Sequence, residues 1–309
     1  MTAQARPTTE LPPTDAAAPD APSGRRPLLV GPPDDSPVAT GGRIRAVRRL
    51  LTTLAWTLLC LPVQVLLVLL PGHADARFGG LYHRVLCRII GLEVRVVGQR
   101  ADHAAKPVLF LSNHSSWLDI LVLGGVLQTP FVSKAEVRNW PGVSLIAKLG
   151  HTVYVSRSRT RTGEEAAGLR ARLAAGDSLI LFPEGTSDDG ARVLPFRSSF
   201  LAVADMAAAV QPVSVVYDRL AGLPAVRRDR PVFAWYGDMD IGSHSWRLLR
   251  RLGGRVTVLL HEPLDPRAFP NRKALSAAVE GVVAEGAATL RQNRPAKPQP
   301  APLPAAMKS

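Results

Sequence analysis

Residues 107–119 read PVLFLSNHSSWLD: an apolar run closing at Leu111, a polar turn, and the opening of a helix. The same alternation extends outward on both sides. Short β-branched runs, Glu93–Val97, Val108–Leu111, Thr152–Val155, Leu179–Phe182, Gln211–Tyr217, Val232–Tyr236 and Val256–His261, are the expected strands. Helical windows fall near 117–127, 164–175, 198–209 and 272–290. The window at 164–175 has explicit ends, with Thr162 and Glu165 forming a T-x-x-E capping box and Gly176 following the last turn. Strands alternating with helices predict an α/β architecture, a largely parallel sheet flanked by helices, over residues 92–290.

Ahead of that domain the composition changes twice. Residues 1–42 hold nine of the chain's 27 prolines, with much Ala, Thr and Asp, and are expected to be a disordered tail. Residues 291–309, with five prolines and four basic residues, are expected to be a second, basic tail. Between the first tail and the domain, 43–91 is read as a membrane-associated helical region. Its 20 residues from Leu51 to Leu70 (LTTLAWTLLCLPVQVLLVLL) carry no charge, just enough to cross a hydrocarbon core of roughly 30 Å. Pro62 and Gln64 sit in the middle of that run. Arg43, Arg45, Arg48 and Arg49 precede it, and Arg77, Arg84 and Arg88 follow. A single span leaves one basic cluster on the outer face, against the positive-inside bias. A run broken at Pro62 that dips in and returns keeps both clusters with an anionic leaflet, and LYHRVLCRIIGL (81–92) adds an amphipathic surface helix. Monotopic attachment is the expectation, with a single span and a buried core helix as its alternatives.

The 309 residues carry 38 Lys+Arg against 25 Asp+Glu, a net charge of +13. The two tails contribute −2 and +4, so the middle carries +11, and any binding by charge belongs to the folded part. No nucleic-acid partner is expected, because the Arg residues are dispersed and aromatics make up just 6%. Two cysteines, Cys60 and Cys87, exclude a disulfide scaffold, and both lie in the most apolar region. The seven histidines show neither HExxH nor any pair at ligand spacing, so no metal is expected. GxxxxGK[ST] and GxGxxG are both missing, which removes sequence support for nucleotide binding.

Three segments could carry chemistry. In open α/β sheets ligands collect beyond the carboxyl ends of strands, which is where His114 falls. A neutral imidazole there can take a proton from a hydroxyl if a carboxylate, Asp119, holds its other nitrogen. On one continuous helix, residues five apart point about 140° away from each other, so the pair meets only if His114 lies in the turn. Ser116 and Asp119 also make an S-x-x-D capping box, which needs no catalysis. The second segment, SLILFPEGTSDDG (178–190), runs a strand into Pro183, Glu184, Gly185, Thr186 and Ser187, a turn able to aim backbone N–H groups and hydroxyls at an anion. The third, HTVYVSRSR (151–159), ends a strand at Arg157 and Arg159, suited to phosphate or carboxylate contact.

Taken in order, NHSSWLD, the strand leading to Arg157, FPEGTS and VQPVSV resemble the 1-acylglycerol-3-phosphate acyltransferase family across residues 92–220. The resemblance implies His114 as general base with Asp119 as its charge partner. It implies Arg157 as an acceptor-binding arginine, Glu184, Gly185 and Thr186 near the acceptor head group, and Pro212 shaping the acyl-donor side. Lys134 and Glu136, in FVSKAEV, also match the family's pattern after the first motif. Where the family commonly reads E-G-T-R this chain has Ser187, with Arg192 and Arg197 downstream as candidate replacements. The run FPEGTSDDGARVLPFRSSF, followed by AWYGDMD with His244 and Trp246 beyond it, resembles the branch that acylates lyso-ornithine lipid. What the resemblance implies is a lysolipid O-acyltransferase forming phosphatidic acid or ornithine lipid, with acyl-CoA or acyl carrier protein bringing the acyl group and no other cofactor. It also implies an anionic membrane surface as partner, at a bacterial inner membrane with the catalytic domain on the cytoplasmic face. A hydrolase lacks support, since no GxSxG elbow is present. A non-enzymatic membrane adaptor leaves the ordered motifs unexplained.

Overall fold

The computed structural model describes residues 39–72, 74–102, 107–134, 153–155 and 162–302. A six-stranded sheet carries the site: β1 (Leu92–Val97), β2 (Val108–Ser112), β5 (Leu179–Leu181), β6 (Ala209–Leu220), β7 (Leu223–Pro224) and β8 (Gly254–Leu260). Its spatial order is β1-β8-β6-β2-β5, with β7 folded back on β6. The pairs β1/β8, β2/β5 and β2/β6 are parallel, while β6/β8 and β6/β7 are antiparallel. The sheet is thus mixed, parallel within each half and reversed at its centre. A separate parallel pair joins β3 (Val132–Lys134) to β4 (Val153–Val155).

All five residues of β2 are buried, as a strand covered on both faces requires. Val108 and Phe110 pack with Leu118, Val122 and Leu123 of α3 (Leu118–Leu127). On the other face Leu109 and Leu111 meet Leu169 and Leu173 of α4 (Thr162–Ala174), together with Val279 and Val283 of α7 (Arg272–Arg291). Truncating such a leucine to alanine costs about 2–5 kcal/mol, so β2 is held rigidly from both sides.

Several stretches differ from the sequence expectation, the short strands β3 and β7 among them. Val232–Tyr236 is not a strand: α5 (Arg230–Phe233) ends just inside it, started by Pro231 in its first turn, where a missing N–H costs nothing. The window 198–209 forms two short 3₁₀ turns, Ser198–Leu201 and Ala204–Met206, because Ala208 N donates to Pro107 O (2.8 Å) and Ala209 already belongs to β6. A helix not foreseen, α6 (Ile241–Arg250), begins where the Asp240 carboxylate accepts from Ser243 N at 2.7 Å, and buries His244, Leu248 and Leu249.

The N-terminal region is a helical hairpin. α1 (Ala39–Val68) passes through Pro62 without a break, and the chain reverses after Pro71, at Gly72, whose φ of 105° favours glycine. It returns as α2 (Ala74–Ile90). Trp56 Nε1 donates to Tyr82 O (3.4 Å), Thr57 Oγ1 and Tyr82 Oη lie 3.0 Å apart, and Arg49 lies against Gly91, so the helices are antiparallel. Arg88 therefore returns to the end bearing Arg43, Arg45, Arg48 and Arg49, while Arg77 stays nearer the reversal. Leu51, Leu58, Leu59 and Leu66 are about 60% exposed, and α1 is long and apolar enough to cross a membrane.

Two devices tie the hairpin to the domain. Arg49, almost wholly buried, donates to Leu249 O (3.1 Å), Arg251 O (2.8 Å) and Leu252 O (3.4 Å) around the end of α6. Gly124 and Gly125 of α3 leave room for His83 and Arg84 of α2, where a Cβ at Gly124 would overlap the imidazole. At the other end of the chain, the segment after α7 does not hang free as expected. Glu262 N donates to Gln299 O (3.2 Å), Gln299 N donates to His261 Nδ1 (3.3 Å), and Ala301 is buried, so this stretch covers apolar surface beside β8.

Candidate active site

The strand–turn–helix of residues 108–127 positions the first group. β2 ends at Ser112, residues 113–116 turn, and α3 starts at Leu118, so His114 lies in the turn and Asp119 in the first helical turn. That is the arrangement in which the two can meet, and His114 Nδ1 stands 2.9 Å from Asp119 Oδ2. The same oxygen accepts from Ser115 N (2.8 Å) and Ser116 N (2.9 Å), so Asp119 fixes the turn before α3 and holds the ring at once. Its other oxygen accepts from Tyr217 Oη of β6 at 2.6 Å. Burial beside Asp119 raises the Tyr217 hydroxyl well above its ordinary pKa, which keeps it a donor. An Asp119 carboxylate receiving all these donors assigns the proton to His114 Nδ1, leaving Nε2 as the basic nitrogen. Asp119 is fully buried and the His114 side chain is 18% exposed, which leaves the ring open to a substrate on one side only.

The turn after β5 supports the same histidine from beneath. Glu184, 2% exposed, accepts from His114 N (2.9 Å) and Leu194 N (3.2 Å), one with each oxygen. Burial, the largest influence, lifts its carboxyl to about 8 despite these two hydrogen bonds. Phe182 stacks on the imidazole at 4.0 Å between centroids and 18° between planes. Gly185 adopts a φ of 69° and comes close to Arg197 Nε and the Phe200 ring. Thr186 Oγ1 turns to Ser187 O (3.3 Å), and Arg197 N donates to Pro183 O (2.9 Å). The structure thus gathers His114, Asp119, Glu184, Gly185, Thr186, Ser187 and Arg197 around two adjacent turns.

Pro212 is not among them. It is buried in β6 opposite Leu111, the last residue but one of β2, and its carbonyl accepts from His261 N (3.0 Å). Lys134 closes β3, while Glu136 and Arg157 lie outside the described residues. Among the described residues no cluster of His, Cys, Asp and Glu is arranged to hold a metal ion.

Sequence reasoning passed over Tyr217, Asn113 and Phe182. Asn113 Nδ2 donates to Val215 O (3.0 Å) and its Oδ1 accepts from Val215 N (2.8 Å), which extends the β2/β6 ladder and fixes the turn. The available signal for Tyr217 was a phenol in a buried strand, which needs a partner for its hydroxyl. Beyond the end of β2 the edge of β6 is open, and a cleft of about 280 Å³ runs along it past Asn113 and Ser115.

A carboxylate-held histidine in the turn after a buried strand, on a sheet flanked by helices, is an arrangement chemically able to take a proton from a hydroxyl. Residues 93–216 match the acyltransferase family model, and the chain belongs to the acyltransferase family. It is an acyltransferase. A lyso-ornithine lipid O-acyltransferase of Brucella abortus is 37% identical over 251 residues, 78% of this chain and 93% of that protein. One from Rhodobacter capsulatus is 34% identical, over 84% of this chain and 97% of its own length. The crystal structure of the 1-acyl-sn-glycerophosphate acyltransferase PlsC from Thermotoga maritima has the same fold, with a TM-score of 0.59 at 23% identity over 82% of this chain and all of that one.

Proposed function

We propose that this chain acylates the free hydroxyl of lyso-ornithine lipid at a membrane surface. The observation that carries the reading is the likeness, over nearly the whole length of each, to proteins named for that reaction. Ser187, in the place where glycerol-phosphate acylation commonly uses arginine, points the same way.

His114 Nε2, with Nδ1 held by Asp119, takes the proton of the acceptor hydroxyl as its oxygen attacks the thioester carbonyl. The new ester C–O bond forms, the C–S bond breaks, and the imidazolium returns its proton to the departing thiolate. Glu184 holds the His114 backbone, and Phe182 holds the ring plane. Gly185, Thr186, Ser187 and Arg197 face the substrates from the neighbouring turns, Pro212 stiffens the strand behind them, and the family resemblance gives Arg157 to the acceptor. The donor is acyl-CoA or acyl carrier protein, with no further cofactor and no metal. The α1–α2 hairpin sits in the cytoplasmic leaflet of a bacterial inner membrane, and Arg43, Arg45, Arg48, Arg84 and Arg88 face its anionic lipids, worth about 1 kcal/mol for each basic residue near the surface.

A second reading, acylation of lysophosphatidate, is favoured by Arg197, whose Nε beside Gly185 offers a cation where Ser187 does not. Membranes containing the protein and a labelled acyl thioester, given equal amounts of the two acceptors, separate the readings. Label in ornithine lipid is the expected result. Label only in phosphatidic acid overturns it in favour of the second reading, and labelled free fatty acid alone would make the protein a hydrolase.

A further inference from the structure

The cleft beside the dyad carries an arrangement of charge that the motifs do not explain. Its lining brings together Arg227, Arg230, Asp189 and Arg291 with Asn113 and Ser115. Asn113 and Ser115 flank His114 in the chain, and Tyr217, which donates to Asp119, also lines the cleft.

The charges are not equivalent. Arg291 donates to Gly190 O (3.0 Å); burial and the nearby Arg230 charge weigh against its own charge, and Asp188, Glu184 and Asp189 offset them only in part. Asp218 is engaged by Arg255 at 3.0 and 2.7 Å and by Thr257 at 2.9 Å. Arg227 and Arg230 have no acidic partner among the described residues; nearby Asp229 lies 3.9 Å from Arg228. Asp189 uses one oxygen to accept from Ala191 N (2.8 Å), and its other oxygen has no hydrogen-bond donor among the described residues. The cleft thus offers two uncommitted guanidinium groups and one uncommitted carboxylate oxygen. Val215, Val216 and Phe233 form the apolar wall between them.

An N-acylated ornithine head carries one carboxylate and one ammonium, joined by methylenes. We propose that this cleft is the head-group site for such a zwitterion, with the carboxylate on Arg227 and Arg230 and the ammonium beside Asp189. Planar guanidinium groups suit a carboxylate in two-point contact. The carbonyl end of α7, at Arg291–Asn293, adds partial negative charge on the ammonium side. A phosphate monoester supplies no cation for Asp189 and is repelled by it. The inference rests on the ornithine-lipid reading above and assigns its acceptor specificity to residues outside the four motifs.

The test uses the full chain in membranes, with acyl-CoA as donor and two acceptors: lyso-ornithine lipid and the same lipid with its free amine acetylated. Arg227→Gln/Arg230→Gln is expected to raise KM for lyso-ornithine lipid by about tenfold or more, the scale of one lost charge-assisted contact, with a smaller change in kcat and no change in the donor KM. Asp189→Asn is expected to raise KM for the parent lipid but not for the acetylated one, on which the wild type already works poorly. Arg227→Gln alone, at an exposed position, repeats the test should the double variant melt early. Wild-type activity on lyso-ornithine lipid with an unmoved acceptor KM in the variants overturns the site alone. A rise in the donor KM instead overturns it in favour of a donor-phosphate site. A wild type that acylates only lysophosphatidate overturns the site and the function together.

Discussion

Asp119 serves the imidazole, two backbone N–H groups and a phenol with two oxygens, so removing any one partner disturbs what holds the others. Tyr217→Phe removes the 2.6 Å donor and leaves a buried carboxylate oxygen short of a partner, so we expect about 1–3 kcal/mol of lost stability and a several-fold lower kcat. Thermal melting beside a turnover assay checks both, and an unchanged kcat would detach Tyr217 from the dyad. Glu184 gives a pH signature. Burial holds its carboxyl at about 8 against an ordinary 4.5, so between those values the folded protein keeps a proton that the unfolded chain has released. Its contribution to stability therefore falls as pH rises through that window and levels off above it. Glu184→Gln cannot ionise, so denaturant unfolding from about pH 5 to 8 should show a shallower loss than the wild type, offset by the N–H that its amide nitrogen fails to accept.

The elements show how local signals were overruled. β2, β5 and β8 were legible because buried strands read as short apolar runs, and α3 because it follows β2 through a turn rich in polar residues. The dyad was legible for the same reason, being local in sequence; Tyr217, 98 residues from Asp119, depends on the β2/β6 register and was not. SSFLAVADMAAA resembles a helix in composition, yet it must deliver the chain to β6 from Pro107's side and takes 3₁₀ turns instead. α6 was hidden by Gly242 and Ser243 in its first turn, although Asp240 is an evident cap. The hairpin reverses at Gly72 rather than Pro62 because a helix interior can lose one hydrogen bond while a tight turn with positive φ calls for glycine. Its seating on the domain depends on small residues in α3, so Gly124→Val should force α2 away from α3. We expect a loss of about 1–3 kcal/mol and reduced acyl transfer, because α3 also carries Asp119. A variant that melts and turns over normally would show that the two helices are not closely coupled.

For the whole molecule, an exposed apolar hairpin and a net charge of +13 act together. Binding to vesicles should rise with their anionic lipid content and fall in part with salt, while the apolar contribution persists at high salt. A hairpin also returns the chain to the face it left, so sites introduced at Arg43 and at Arg251 should react from the same side of sealed vesicles; reaction from opposite sides would establish a single span. The central claim is that His114 performs acyl transfer to a lysolipid. It is tested most directly by single-turnover transfer of a labelled acyl group to lyso-ornithine lipid, comparing the wild type with a His114→Ala variant matched in membrane content and melting temperature. The account predicts a rate about 10²–10⁴-fold lower in the variant, the usual worth of a general base. A rate within a few-fold of wild type would contradict it.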